Sequence, residues 1–145
     1  ALEDLEWLVD YWHAEDAAAG TTVDATYEKA AGGHVIVGRT KLKPKTGAAI
    51  ESLEVISVDP DAGLIRSRTC DSTGATAEGL LVLDGAGIEQ VLVGTPADAV
   101  DGSVARWVRL VAPTGDGRFT LHAIERSIDG VPLPDGAPLH FRKIR

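Results

Sequence analysis

Residues 51–84 read ESLEVISVDPDAGLIRSRTCDSTGATAEGLLVLD. Runs rich in Val, Ile, Leu and Thr, at 48–59, 64–71 and 76–83, are cut by two clusters of turn residues, Asp59-Pro60-Asp61-Ala62-Gly63 and Asp71 to Gly74. Such runs bounded by Asp, Pro, Ser and Gly are strand signals. The interruptions are too short for a crossover helix, so successive strands must pair as antiparallel hairpins.

The same rhythm extends in both directions. It predicts strands at 21–29 and 34–42 before this stretch, and at 87–94, 104–112, 118–127 and 139–144 after it. Gly32-Gly33, Pro44 to Gly47, Asp84-Gly85 and Pro113 to Gly117 supply the further turns. Ile128 to Gly136 reads as a stiff loop before the last strand. Eight or nine meandering strands must hide two edges, and closing the sheet on itself does so. The expected fold is therefore all-β: one antiparallel up-and-down barrel spanning residues 1–145, whose interior is filled by side chains or holds one small ligand. Only the N-terminus reads as helix, with Leu2, Leu5, Leu8, Val9 and Trp12 at helical spacing and Glu3, Asp4 and Glu6 in its first turn.

Composition narrows the function classes. A chain of 145 residues buries roughly 70% of its unfolded surface, enough for a real core. The net charge of −8, with scattered Lys and Arg, argues against nucleic acid or an anionic membrane as partner. Cys70 is the one cysteine, so neither an internal disulfide nor a thiolate metal cluster is expected. No run approaches the roughly 20 apolar residues of a membrane-spanning helix, and ALEDLEWL lacks the order of a secretory signal, which makes the cytoplasm the default compartment. Because the chain opens at Ala1, a removed upstream segment stays open.

The opening LEWLVDYW resembles the L-x-x-L-x-G-x-W entrance of calycin-like proteins, with Asp10 where that pattern has Gly. The resemblance implies that a helical turn closes one barrel end and that Trp12 plugs its floor. ISVDPDAGLIRSRTCDSTGATAEG and RSIDGVPLPD are similar to a lipocalin-like bacterial module sometimes found next to SnoaL-like domains. These motifs are largely turn chemistry, and they speak for fold more than function. In that module large aromatic residues stand where this chain has Val58, Arg68, Cys70, Leu81, Ile88 and Leu121, and only seven aromatic residues occur here. Either the barrel has been hollowed into a ligand-sized cavity, or aliphatic side chains repack in a tighter one.

Alternation along the strands nominates the inner groups. It turns His34, Ile36, Gly38 and Thr40 inward on one strand, Glu54, Ile56 and Val58 on the next, and Leu64, Arg66, Arg68 and Cys70 on the one after. Glu54 with Arg66, Arg68 and His34 thus forms the candidate catalytic set, a carboxylate and guanidinium groups able to hold a polar ligand or move a proton. A structural ion pair at the barrel mouth, or side chains turned to solvent by a bulge that shifts the register, is the plainer alternative. Tyr11, Trp12, Tyr27, Cys70, Leu81, Trp107 and Leu121 are the candidate ligand-lining residues. His13, His34, His122 and His140 lack metal-site spacing, and no metal or other cofactor is expected. The expected partner is a small apolar or amphipathic molecule, with homodimerisation left open. The expected roles are a cofactor-independent cyclase or isomerase of the kind found among barrel enzymes of natural-product metabolism, a carrier or sequestering protein, or a packed structural module.

Overall fold

The computed structural model describes residues 2–85, 87–97 and 102–144. All strands belong to one antiparallel sheet: β1 (Tyr11–Asp16), β2 (Thr21–Ala30), β3 (Val35–Lys43), β4 (Ile50–Val58), β5 (Ile65–Asp71), β6 (Thr76–Asp84), β7 (Gly87–Thr95), β8 (Ala105–Gly115), β9 (Arg118–Ile128), β10 (Val131–Pro132) and β11 (Leu139–Lys143). Neighbours in sequence pair up to β9, which also pairs with β11, and β11 pairs with β1. Ten strands therefore form a closed up-and-down barrel, and the two-residue β10 adds to β9 as a hairpin outside the ring.

Two of these strands escape the sequence reading. The N-terminal segment is a 3-10 helix, Leu2–Leu8, and ends four residues before Trp12. Leu2, Leu5 and Leu8 repeat every three residues, which is the 3-10 period, and Val9 N donates to Glu6 O at 3.1 Å, an i to i−3 bond. Trp12 then belongs to β1, where Trp12 and Ala14 point inward. The stretch expected to be loop before the last strand contains β10 because Asp129 and Gly130 both take positive φ, 50° and 80°, the geometry of a tight hairpin turn. Ser103 Oγ and Val104 N donate to the Asp129 carboxylate at 2.7 Å each, tying that turn to the start of β8.

The other turn motifs are likewise structural. Asp59 Oδ1 accepts from Asp61 N and Ala62 N at 3.0 and 3.3 Å, and Asp71 Oδ1 accepts from Thr73 N and Ala75 N at 2.9 and 3.2 Å. Each aspartate holds its own hairpin loop closed.

The helix covers one barrel end. Leu5 and Leu8 are buried there beside Trp12, whose indole Nε1 donates to Leu8 O at 2.8 Å. Phe119 packs edge-on against Trp12 and stacks with Phe141, each at 4.7 Å between ring centres. Ile36, Ile56, Ile65, Leu81, Ile88 and Val111 complete this packed half. Among the described residues no helix is long and apolar enough to cross a membrane.

Candidate functional site

At mid-barrel the apolar filling gives way to a polar layer. Glu54, Ser67 and Gln90, from β4, β5 and β7, are the buried polar residues among those described, and Glu54 is only 8% exposed. Gln90 Nε2 donates to Glu54 Oε2 at 2.8 Å and approaches Ser67 Oγ at 2.7 Å. Arg109 on β8 donates from Nη1 to Gln90 Oε1 at 3.3 Å, and the same nitrogen lies 3.5 Å from Glu54 Oε2. Each member satisfies another, as a low-dielectric interior demands.

Strand pairing explains the convergence. Ile56 faces Ser67 and Glu54 faces Thr69 across β4 and β5, so all four share the inner surface. Glycines clear space for the layer. A Cβ on Gly79 would stand 2.5 Å from Ser67 Oγ, and one on Gly38 would stand 2.6 Å from the Tyr27 ring. Tyr27 is buried beside Glu54 and Arg109. Burial, with a smaller contribution from the Glu54 charge, pushes its phenol well above the usual tyrosine range, while Arg109 acts weakly the other way.

The layer divides the lumen. Towards the helix only a void of about 20 Å³ remains, lined by Leu8, Ile56, Leu81 and Ile88 among others. On the other side lies a chamber of about 170 Å³, floored by Glu54, Arg109 and Tyr27 and walled by Phe119, Leu121, Leu139 and Phe141. Thr40 and Ser52 also line it, and so does Thr69, whose hydroxyl oxygen is itself buried without a partner. Ser52, Thr69 and Arg109 also line a vestibule of about 230 Å³, which runs past Trp107 to the β5–β6 turn and Pro96.

Several of the residues nominated from the sequence face the lumen. Glu54, Tyr27 and Leu121 line the chamber, Trp107 lines the vestibule, and Leu81 lines the small void. Trp12, also nominated to line a ligand, is instead packed on Phe119 at 1% exposure and lines neither the chamber nor the vestibule.

Other placements are corrected. The inner residues of β5 are Ile65, Ser67 and Thr69, so Arg66, Arg68 and Cys70 face outward. Arg66 Nε binds Asp59 Oδ2 at 3.3 Å, and Arg68 pairs with Glu78 at 3.3 Å on the surface. Leu64 misled the parity because it closes the preceding turn through its carbonyl, at 2.7 Å from Asp59 N, and lies outside the strand. His34 is exposed, ending a 3-10 turn at Ala31–Gly33 before β3 begins. Tyr11 is 50% exposed on the outer face of β1, since the true alternation buries Trp12.

Arg109, Gln90 and Ser67 are the site residues that the sequence reading missed. The signal was present: Arg109 shares parity with Trp107 and Val111, and Gln90 sits between Ile88 and Leu92 on the buried side of β7. No group of three or more His, Cys, Asp or Glu among the described residues is arranged to hold a metal ion.

No protein-family model matches this chain, and no curated protein is significantly similar to it.

Proposed function

We propose that the barrel binds a small amphipathic molecule in its lumen. The observation that carries this reading is the 170 Å³ chamber, which has a charged and hydrogen-bonding floor and an aromatic and aliphatic wall. Sites for small molecules combine an apolar lining with a few placed polar groups in this way. An engineered apolar cavity of about 150 Å³ in another protein admits benzene, so a single ring fits this chamber and the vestibule takes substituents. The resemblance to calycin-like modules supports the same use of a barrel.

Ligand carriage needs nothing more. The cyclase or isomerase reading adds a step: Glu54 takes a proton from the bound molecule, and Arg109 stabilises the oxyanion that forms. One observation favours keeping it, namely that both groups border the chamber on its floor.

Native mass spectrometry of protein from its own organism tests the binding reading. A non-covalent mass is expected on the wild-type chain and none on Ala25→Phe, because Ala25 lines the chamber and a ring there fills it. A mass retained by a folded Ala25→Phe variant moves the ligand outside the lumen and ends the proposal. With a ligand in hand, loss of turnover in Glu54→Gln with binding retained marks an enzyme, and absence of turnover in the wild type marks a carrier.

A further inference from the structure

The charge balance of the lumen restricts its ligand beyond size and shape. Glu54 and Arg109 are the charged side chains that line the chamber among the described residues, one of each sign, and they lie 3.5 Å apart. Their fixed charges cancel before any ligand arrives.

Neither group is used up by the pairing. The contacts of Arg109 run from Nη1, so Nε and Nη2 make no hydrogen bond among the described residues. The contacts of Glu54 run to Oε2, which leaves Oε1 as a free acceptor in the same sense. None of these atoms is among the buried side-chain atoms left without a partner, so each keeps some accessible surface on residues that line the chamber. The chamber floor thus presents donors and an acceptor side by side.

A carboxylate ligand would satisfy the guanidinium but would add a second negative charge beside Glu54, in a site where only one positive charge is available. An uncompensated charge away from bulk water is costly. The chain's overall charge of −8 adds a repulsive field. An uncharged molecule with an acceptor and a donor on one edge completes both groups without disturbing the balance.

We infer that the lumen selects an uncharged, ring-bearing molecule with adjacent acceptor and donor, such as an amide or lactam, and rejects the matching carboxylate. This rests on the lumen-binding reading above. The ring lies against Phe119, Phe141, Leu121 and Leu139, and its polar edge meets Arg109 and Glu54.

A matched pair of probes tests it: 4-fluorobenzamide and 4-fluorobenzoate, titrated against the whole chain by fluorine NMR at neutral pH. The amide is expected to bind at least about tenfold more tightly than the benzoate. Glu54→Gln removes the balancing charge, so the order is expected to invert in that variant. Equal affinities, or tighter binding of benzoate to the wild type, overturn the selectivity while leaving the lumen reading standing. If neither probe binds up to its solubility limit, or if the amide signal survives in folded Ala25→Phe, the lumen reading itself falls. The wild-type ratio decides the matter even if Glu54→Gln does not fold.

Discussion

Gly79 on β6 lies so close to Ser67 on β5 that a methyl group on its Cα would stand 2.5 Å from Ser67 Oγ, and 3.1 Å from both Gln90 Nε2 and a methyl of Leu92. The φ angle of Gly79 is not positive, so conformational freedom does not explain the residue. Its absent side chain is what lets Ser67 and Gln90 meet at 2.7 Å under the chamber floor.

Gly79→Ala is therefore expected to destabilise the fold by about 1–3 kcal/mol through overpacking of a buried polar pair. The measurement is the denaturant midpoint at unchanged slope. A midpoint equal to wild type would show that the layer yields without cost and that Ser67 is not a fixed part of it.

How much of this was legible beforehand follows from the same strands. Turn residues announce where strands stop, so Asp59 to Gly63 and Asp71 to Gly74 gave the hairpins and, through them, the closed sheet. Which face points inward is decided by one residue of parity, and that is fragile where polar and small residues alternate. On β4, Glu54 travels with Ile56 and the inner face is plain. On β5, Arg66 and Arg68 alternate with Ser67 and Thr69, so hydropathy offers little guidance, and Leu64 on the turn tipped the choice to the wrong face. Arg109 was missed because a guanidinium reads as solvent-facing until the carboxylate that holds it is known, and that carboxylate is 55 positions earlier in the chain. The strand β1 was hidden under an apolar spacing of three that belongs to the 3-10 turn before it.

Glu54 and Arg109 are expected to be energetically coupled. Arg109→Leu and Glu54→Gln alone each leave a polar partner unanswered in a largely dry site, whereas the double variant removes both. Unfolding free energies around the cycle should give a coupling of about 1–3 kcal/mol. Strict additivity would mean that water in the vestibule screens the pair, and the charge-balance selectivity for uncharged ligands would lose its basis.

On the outer face of β1, His13 gives the fold a pH dependence. Its Nδ1 lies 2.7 Å from Asp24 Oδ1 and its Nε2 lies 3.0 Å from Glu15 Oε1, and these bonds, Asp24 first, raise its pKa above the ordinary value of 6.5. Burial of the ring opposes them, and Arg142 on β11 and Lys41 on β3 are the charged residues at the facing positions of His13 and Asp24. A histidine whose folded pKa is raised contributes stability that is fully present below 6.5 and is lost as pH climbs through the folded value. Because both carboxylates are well exposed, the contribution should be under about 1 kcal/mol. Denaturant midpoints measured from mildly acidic to mildly alkaline pH should fall in the wild type, and the fall should be smaller in His13→Gln. Parallel curves would show that the two carboxylates do not hold the ring.

Tyr27 tests how dry the chamber floor is. Its phenol is pushed up mainly by burial and then by Glu54, so the neutral form is favoured in the folded state. The stability associated with that preference is complete below 10.0, the ordinary tyrosine value, and is lost as pH rises above it. In an alkaline titration followed by near-ultraviolet absorbance, part of the phenolate signal should appear only as the barrel unfolds, and Tyr27→Phe should remove that part. If the Tyr27 signal instead develops reversibly near pH 10 in the folded protein, water reaches the floor freely. Glu54 and Arg109 would then be solvated, and the cost that excludes an anionic ligand would be largely screened.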